Sequence, residues 1–181
     1  MNEVLLTFNP TLATSASQNL LVAVQNKMGM TPNLMKTLAH SSAALEGYLN
    51  FNESLSKGVL KAQLRELISV VVAESNACEY CLSAHTALGK RAKLDEQTIL
   101  CARKGESNDP KIASALRFVK AILVSPSAIS DEDIEEMRVA GYTEEEIVEI
   151  ISNVALNIYT NYFNVIAQTE IDFPKVELLP H

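Results

Sequence analysis

The sequence is short of positive charge, of long apolar runs and of cysteine, and each shortage closes off a class of function. Fifteen Lys and Arg stand against 22 Asp and Glu, giving a formal net charge of −7 and a pI near 5.0. Such a surface repels phosphate polyanions and anionic lipid, so neither nucleic acid nor a membrane is expected as a partner. The most apolar run, Leu67 to Ala73, is far below the roughly 20 residues a helix needs to cross a bilayer. No lysine or arginine precedes Lys27, so the basic region that opens a secretory leader is missing, and a cytoplasmic protein is expected. Three cysteines are too few for a disulfide scaffold, and in a reducing compartment a close pair more often serves catalysis or metal binding than structure. Low-complexity segments and internal repeats are also missing. With 48% hydrophobic and 20% charged residues in 181, the chain has the make-up of one globular domain, read as residues 1–181.

What the chain does have is helix punctuation. Thr31 before Pro32 and Asp109 before Pro110 pair an N-cap with a first-turn proline, and Ser130 with Asp133 and Thr143 with Glu146 have capping-box spacing. Gly29, Gly58, Gly105 and Gly141 fall where helices should stop in a left-handed residue. Between these marks, Leu64, Leu67, Ile68, Val71 and Val72 form one apolar stripe, and Ile147, Ile150, Ile151, Val154, Ala155 and Ile158 form another. Both stripes should face a core. No alternation of strand and helix is present, so the spacing predicts an all-α, multi-helix bundle of seven or eight helices. The last helix, Glu144 to about Ala167, carries Asn153, Asn157, Asn161 and Asn164 at helical spacing. A polar seam between helices or subunits is the commoner use of such a row, and substrate binding the rarer one.

The chemistry gathers in ESNACEYCLSAH, residues 74–85. Asn76 to Cys78 reads as a hinge, with a new helix starting at Cys78 or Glu79. Cys78 and Cys81 then lie one turn apart, and His85 lies one turn beyond Cys81, so the three form a column. A helix start also favours thiolate. The column fits a reactive dithiol, a zinc site completed by a carboxylate, or two small core residues beside a satisfied histidine. Against zinc stands the lack of a second Cys or His pair, and against a thioredoxin-type site stands the lack of a sheet. Cys101, which follows an N-cap at Asp95, reads as inert, and His40 as a structural or surface histidine.

The segment LRELISVVVAESNACEYCLSAH, residues 64–85, resembles the active-site region of the alkylhydroperoxidase D-like, carboxymuconolactone decarboxylase superfamily, and within it the peroxidase-related group. The redox branch of that superfamily carries a Glu twelve residues before a C-x-x-C, and a His four residues after it, which here are Glu66, Cys78, Cys81 and His85. The likeness runs on through TPNLMKTLAHS upstream and GYTEEEIVEIISNVALN and TEIDFP downstream. Some members have a second histidine just before the second cysteine, where this chain has Tyr80, so a phenol or a water would have to take its place in any relay.

The resemblance implies an alkylhydroperoxidase D-like bundle and a thiol-dependent peroxidase acting on organic hydroperoxides or hydrogen peroxide. In that scheme Glu66 orients His85, His85 deprotonates Cys81 as the attacking thiol, and Cys78, nearer the helix end and expected to be the more exposed, resolves the intermediate. The implied partners are a dithiol reductant protein or small thiol and further copies of the chain, as a trimer or hexamer. No metal, haem or flavin cofactor is implied. The alternatives are a stoichiometric redox sensor and a decarboxylase-like lyase using Glu66 and His85 as acid and base. Proton transfer alone would have no use for the cysteine pair.

Overall fold

Local capping chemistry sets the helix boundaries in the structure, a computed structural model that describes residues 13–180. The described helices are α1 (Ser15–Met28), α2 (Asn33–Leu38), α3 (Ser42–Ser56), α4 (Ala62–Ser75), α5 (Glu79–Arg91), α6 (Glu96–Arg103), α7 (Pro110–Val124), α8 (Asp131–Val139) and α9 (Glu144–Ala167), with a 3-10 turn at Pro126–Ala128. There is no strand among the described residues. The fold is therefore all-α, with one helix more than the upper expectation. The reading of the N-terminus as leaderless falls on residues outside the described range. Among the described residues, no helix is long and apolar enough to cross a membrane.

Asp109 caps α7 by accepting from the Lys111 and Ile112 N–H groups, and Ser130–Asp133 and Thr143–Glu146 form complete capping boxes at α8 and α9. Thr31 behaves otherwise. Pro32 occupies the cap position of α2, and the Thr31 hydroxyl donates instead to Gln25 Oε1. The orphan N–H of Asn33 is taken up at 2.8 Å by the Asp172 carboxylate, from a segment 139 residues away. Gly29, Gly105 and Gly141 adopt positive φ as expected, but Gly58 does not. It is needed for space: the Glu149 carboxylate sits where a Cβ would go and accepts from the N–H groups of Val59 and Leu60 at 2.9 and 3.0 Å.

α4 is the centre of the bundle. It packs against α5, α6, α7 and α9, and every residue from Leu67 to Ala73 is buried. The predicted stripe residues Leu67, Ile68, Val71 and Val72 are buried, and burial extends past the stripe to Ser69, Val70 and Ala73 because neighbours enclose this stretch of α4 on all sides. α9 departs from its predicted stripe. Ile147, Ile150 and Val154 are buried, but Ile151 is 43% exposed and Ala155 is also exposed. The inward face instead carries the four buried asparagines.

After α9 the chain, residues 169–180, has no helix or strand and is tied by hydrogen bonds to α2, α4, α5 and α6. Val176 N–H donates to Ser83 Oγ, Leu179 N–H donates to Glu74 Oε1, and Arg103 joins Glu74 at 2.7 Å while also donating to the Glu177 carbonyl. This tail roofs the helix that carries the cysteines.

Candidate active site

The turn between α4 and α5 places the first cysteine. α4 ends in a Schellman arrangement: Cys78 N–H donates to the Ala73 carbonyl and Ala77 N–H to that of Glu74, while Ala77 takes a left-handed φ of 52°. The chain reverses there and α5 packs back on α4. Cys78 becomes the N-cap of α5, its Sγ accepting from the Cys81 N–H at 3.2 Å. Cys78 and Cys81 are joined as a disulfide, with Cα atoms 5.3 Å apart, inside the span of about 4.4–6.8 Å that such a bond takes. Cys78 is 1% exposed and Cys81 2%. The expectation of a more exposed Cys78 is therefore corrected: Cys78 sits at the reversal where α5 packs back on α4, and Cys81 lies under α9. Cys101 is free and lies apart on α6, where Gln97 donates to its sulfur.

Glu66 on α4 and His85 on α5 are 19 residues apart and meet at 2.9 Å, Oε2 to Nδ1, each about a fifth exposed. With Nδ1 engaged, Nε2 is the ring nitrogen left for exchange with a reactant. His85 stands between two cavities. One, of about 60 Å³, is lined by Cys81, His85, Asn164, Tyr48 and Tyr80 and walled by Leu34, Met35, Leu88 and Phe173. The other, of about 50 Å³, lies on the Glu66 side among Asn52, Arg65, Asn157 and Thr160. Cys78 borders neither of these two cavities. His40 is exposed at the end of α2, outside both linings.

Tyr80 serves as a structural pin. Its hydroxyl accepts from the Leu34 N–H at 3.1 Å, its ring meets Phe173 edge-on at 5.9 Å, and burial pushes the phenol well above its ordinary range. Tyr48 is pushed up to about 12, by burial first and then by the Glu66 charge, so it too stays protonated at neutral pH. Asn153 and Asn157 donate to carbonyls of their own helix. Asn161 accepts from Asn76, and Asn164 donates to Cys81 Sγ at 3.3 Å. The asparagine row was visible in the sequence, but the contact of one member with a site sulfur was not. Among the described residues, no group of three or more His, Cys, Asp or Glu is placed to hold a metal ion.

Residues 42–121, which include all four candidate residues, match the carboxymuconolactone decarboxylase family. The structure also superposes on the alkylhydroperoxidase D core of a peroxidase-related protein from Ralstonia eutropha JMP134, with a TM-score of 0.81 at 22% identity over 90% of this chain and 88% of that one. Residues 42–121 thus resemble the carboxymuconolactone decarboxylase family, and the fold is that of the alkylhydroperoxidase D core. A second superposable structure is the debrominase Bmp8, solved as a cysteine-to-alanine variant in complex with 2,3,4-tribromopyrrole, with a TM-score of 0.77 at 18% identity over 95% of this chain and 93% of that one. At these identities the likeness is one of fold. The protein YdfG of Bacillus subtilis (strain 168) is 31% identical over 91 residues, 48% of this chain, and the match spans 61% of that relative's length. The same fold is thus found in a peroxidase-related protein and in a debrominase.

Proposed function

We propose that the protein is a thiol-dependent peroxidase that cycles Cys78 and Cys81 between dithiol and disulfide. The observation that carries this reading is the shared cavity of Cys81 and His85, with Glu66 bonded to the far side of the imidazole. In the reduced enzyme His85 takes the proton of Cys81, and Glu66 stabilises the imidazolium that forms. The thiolate attacks the terminal oxygen of the hydroperoxide, the O–O bond breaks, and the leaving alkoxide takes the proton from His85 to depart as alcohol. Cys81 is now a sulfenic acid. Cys78 attacks its sulfur, water leaves, and the disulfide forms. One hydroperoxide and two thiols become one alcohol, one water and one disulfide. A dithiol protein or small thiol then restores the pair by exchange.

The apolar walls of the Cys81 cavity favour an organic hydroperoxide over hydrogen peroxide. The test is steady-state reduction of cumene hydroperoxide with dithiothreitol as donor, for the wild type beside Cys81→Ser. Turnover confined to the wild type is expected, and equal rates would rule the reading out.

The likeness to a debrominase supports a second reading in the same cavity. The Cys81 thiolate would attack bromine on an electron-rich aromatic ring, the ring carbon would take a proton, and Cys78 would displace bromide to give the same disulfide. Bromide release from a bromopyrrole, exceeding the rate of hydroperoxide reduction, would select it.

A further inference from the structure

α9 holds the cysteine loop at two points. Asn161 and Asn164 are three residues apart on one face of the helix. Asn161 Oδ1 accepts from the Asn76 side chain at 3.2 Å, two residues before Cys78, and Asn164 Nδ2 donates to Cys81 Sγ at 3.3 Å. Both asparagines are buried, Asn164 being 3% exposed. Their burial is costly, since Asn164 Oδ1 and Asn161 Nδ2 have no hydrogen-bond partner. A leucine at position 164 would fill the same space without a stranded oxygen. The amide therefore calls for a reason other than packing, and its donor N–H is aimed at a sulfur that becomes charged.

We propose that Asn164 is a catalytic residue whose side-chain N–H stabilises the thiolate of Cys81. The proposal rests on the assignment of Cys81 as nucleophile, whichever oxidant it meets. A hydrogen bond to an ionised acceptor is about twice as strong as one between neutral groups, so the Asn164 donor favours thiolate over thiol. The division of labour is between proton and charge. Glu66 and His85 accept and hold the proton, while Asn164 stabilises the negative charge left behind on the sulfur. Cys78 has no such partner from α9; its sulfur accepts from the Cys81 N–H at the start of α5.

The test uses the full-length chain carrying Cys78→Ser, in which serine is a good N-cap for α5 and Cys81 stays reduced. Iodoacetamide alkylation of Cys81 is followed against pH by peptide mass spectrometry, which separates it from Cys101. Adding Asn164→Leu should move the midpoint of the profile up by about one pH unit, a roughly tenfold loss of thiolate below the midpoint. Asn164→Asp should move it further, because a carboxylate opposes the thiolate. Asn164→Ser, too short to reach the sulfur and small enough to fit, should match Asn164→Leu and serves if that variant does not fold. A purely structural role would change the alkylation rate at every pH through access and leave the midpoint in place. An unmoved midpoint in the folded variants overturns the proposal. Midpoints that move as described in the Cys78→Ser background, with a wild type that fails to turn over hydroperoxide, would remove the peroxidase reading and leave the Asn164 assignment standing. Normal turnover with unmoved midpoints would do the reverse.

Discussion

Replacing Glu66 by glutamine keeps an acceptor for His85 and removes the charge. The carboxylate lies 2.9 Å from Nδ1 with both side chains about a fifth exposed, a site wet enough to screen the pair yet enclosed enough for the charge to count. A hydrogen bond involving a charged group contributes about 1.5–3 kcal/mol, and each 1.36 kcal/mol is a factor of about ten in rate, so Glu66→Gln should slow hydroperoxide reduction at pH 7 by about tenfold to a hundredfold. The loss should depend on pH. Without the carboxylate the imidazolium–thiolate pair forms less readily, and Cys81 must ionise more nearly as a free thiol, whose midpoint is about 8.5. The variant should therefore regain rate as pH rises through that region, while the wild type stays near its plateau. The assay is the initial rate of cumene hydroperoxide reduction between pH 6 and pH 9.5, with circular dichroism to verify the fold. A constant ratio of the two rates across this range would show that Glu66 does not act through the ionisation of Cys81.

Three further outcomes are expected. Gly58→Ala should lower the urea midpoint by the equivalent of about 1–3 kcal/mol, because its Cβ displaces the Glu149 carboxylate from the Val59 and Leu60 N–H groups; an unchanged midpoint contradicts this. The half-buried Tyr48 phenol, raised from 10 to about 12, contributes stability that is complete below pH 10 and lost as pH rises through about 12. Tyr48→Phe should therefore flatten the alkaline limb of the stability curve, and an identical limb in both proteins would refute the assignment. Finally, Val148, Ile151, Tyr159, Tyr162 and Ile166 are exposed along α9, and we propose that this face joins copies of the chain in a trimer or hexamer. Light scattering should find that assembly, and a stable monomer at micromolar concentration would count against it.

The sequence was most legible where the determinants are local. Asp109, Ser130 and Thr143 satisfy N–H groups within three residues of themselves, so their spacing was enough to start three helices. Thr31 misled because α2 is capped from Asp172, a partner that only the folded chain brings near. Ile151 and Ala155 fit the helical period but lie on the outward face of α9, since period alone does not say which of two apolar faces meets the core. The neighbourhood of Cys81 and His85, one turn apart on α5, followed from helix geometry, whereas Cys78 stands just outside that helix as its N-cap. Glu66 did not: it sits on another helix, and only the family resemblance pointed to it. The burial of Cys78 and the contact of Asn164 with Cys81 depend on how α4, α5 and α9 pack, which no spacing within one helix reveals.

The central claim, that Cys81 is the atom that meets the oxidant, is tested most directly by a single turnover of the reduced Cys78→Ser variant. One equivalent of cumene hydroperoxide is added, the protein is quenched with a 1,3-dione that traps sulfenic acid, and the peptides are mapped by mass spectrometry. The account predicts a dione adduct on Cys81 and release of one equivalent of alcohol. In the matched Cys81→Ser protein, Cys78 should remain an unmodified thiol. An adduct on Cys78 in that second variant, with Cys81 unmodified in the first, would contradict the assignment of the nucleophile and with it the roles given to Glu66, His85 and Asn164.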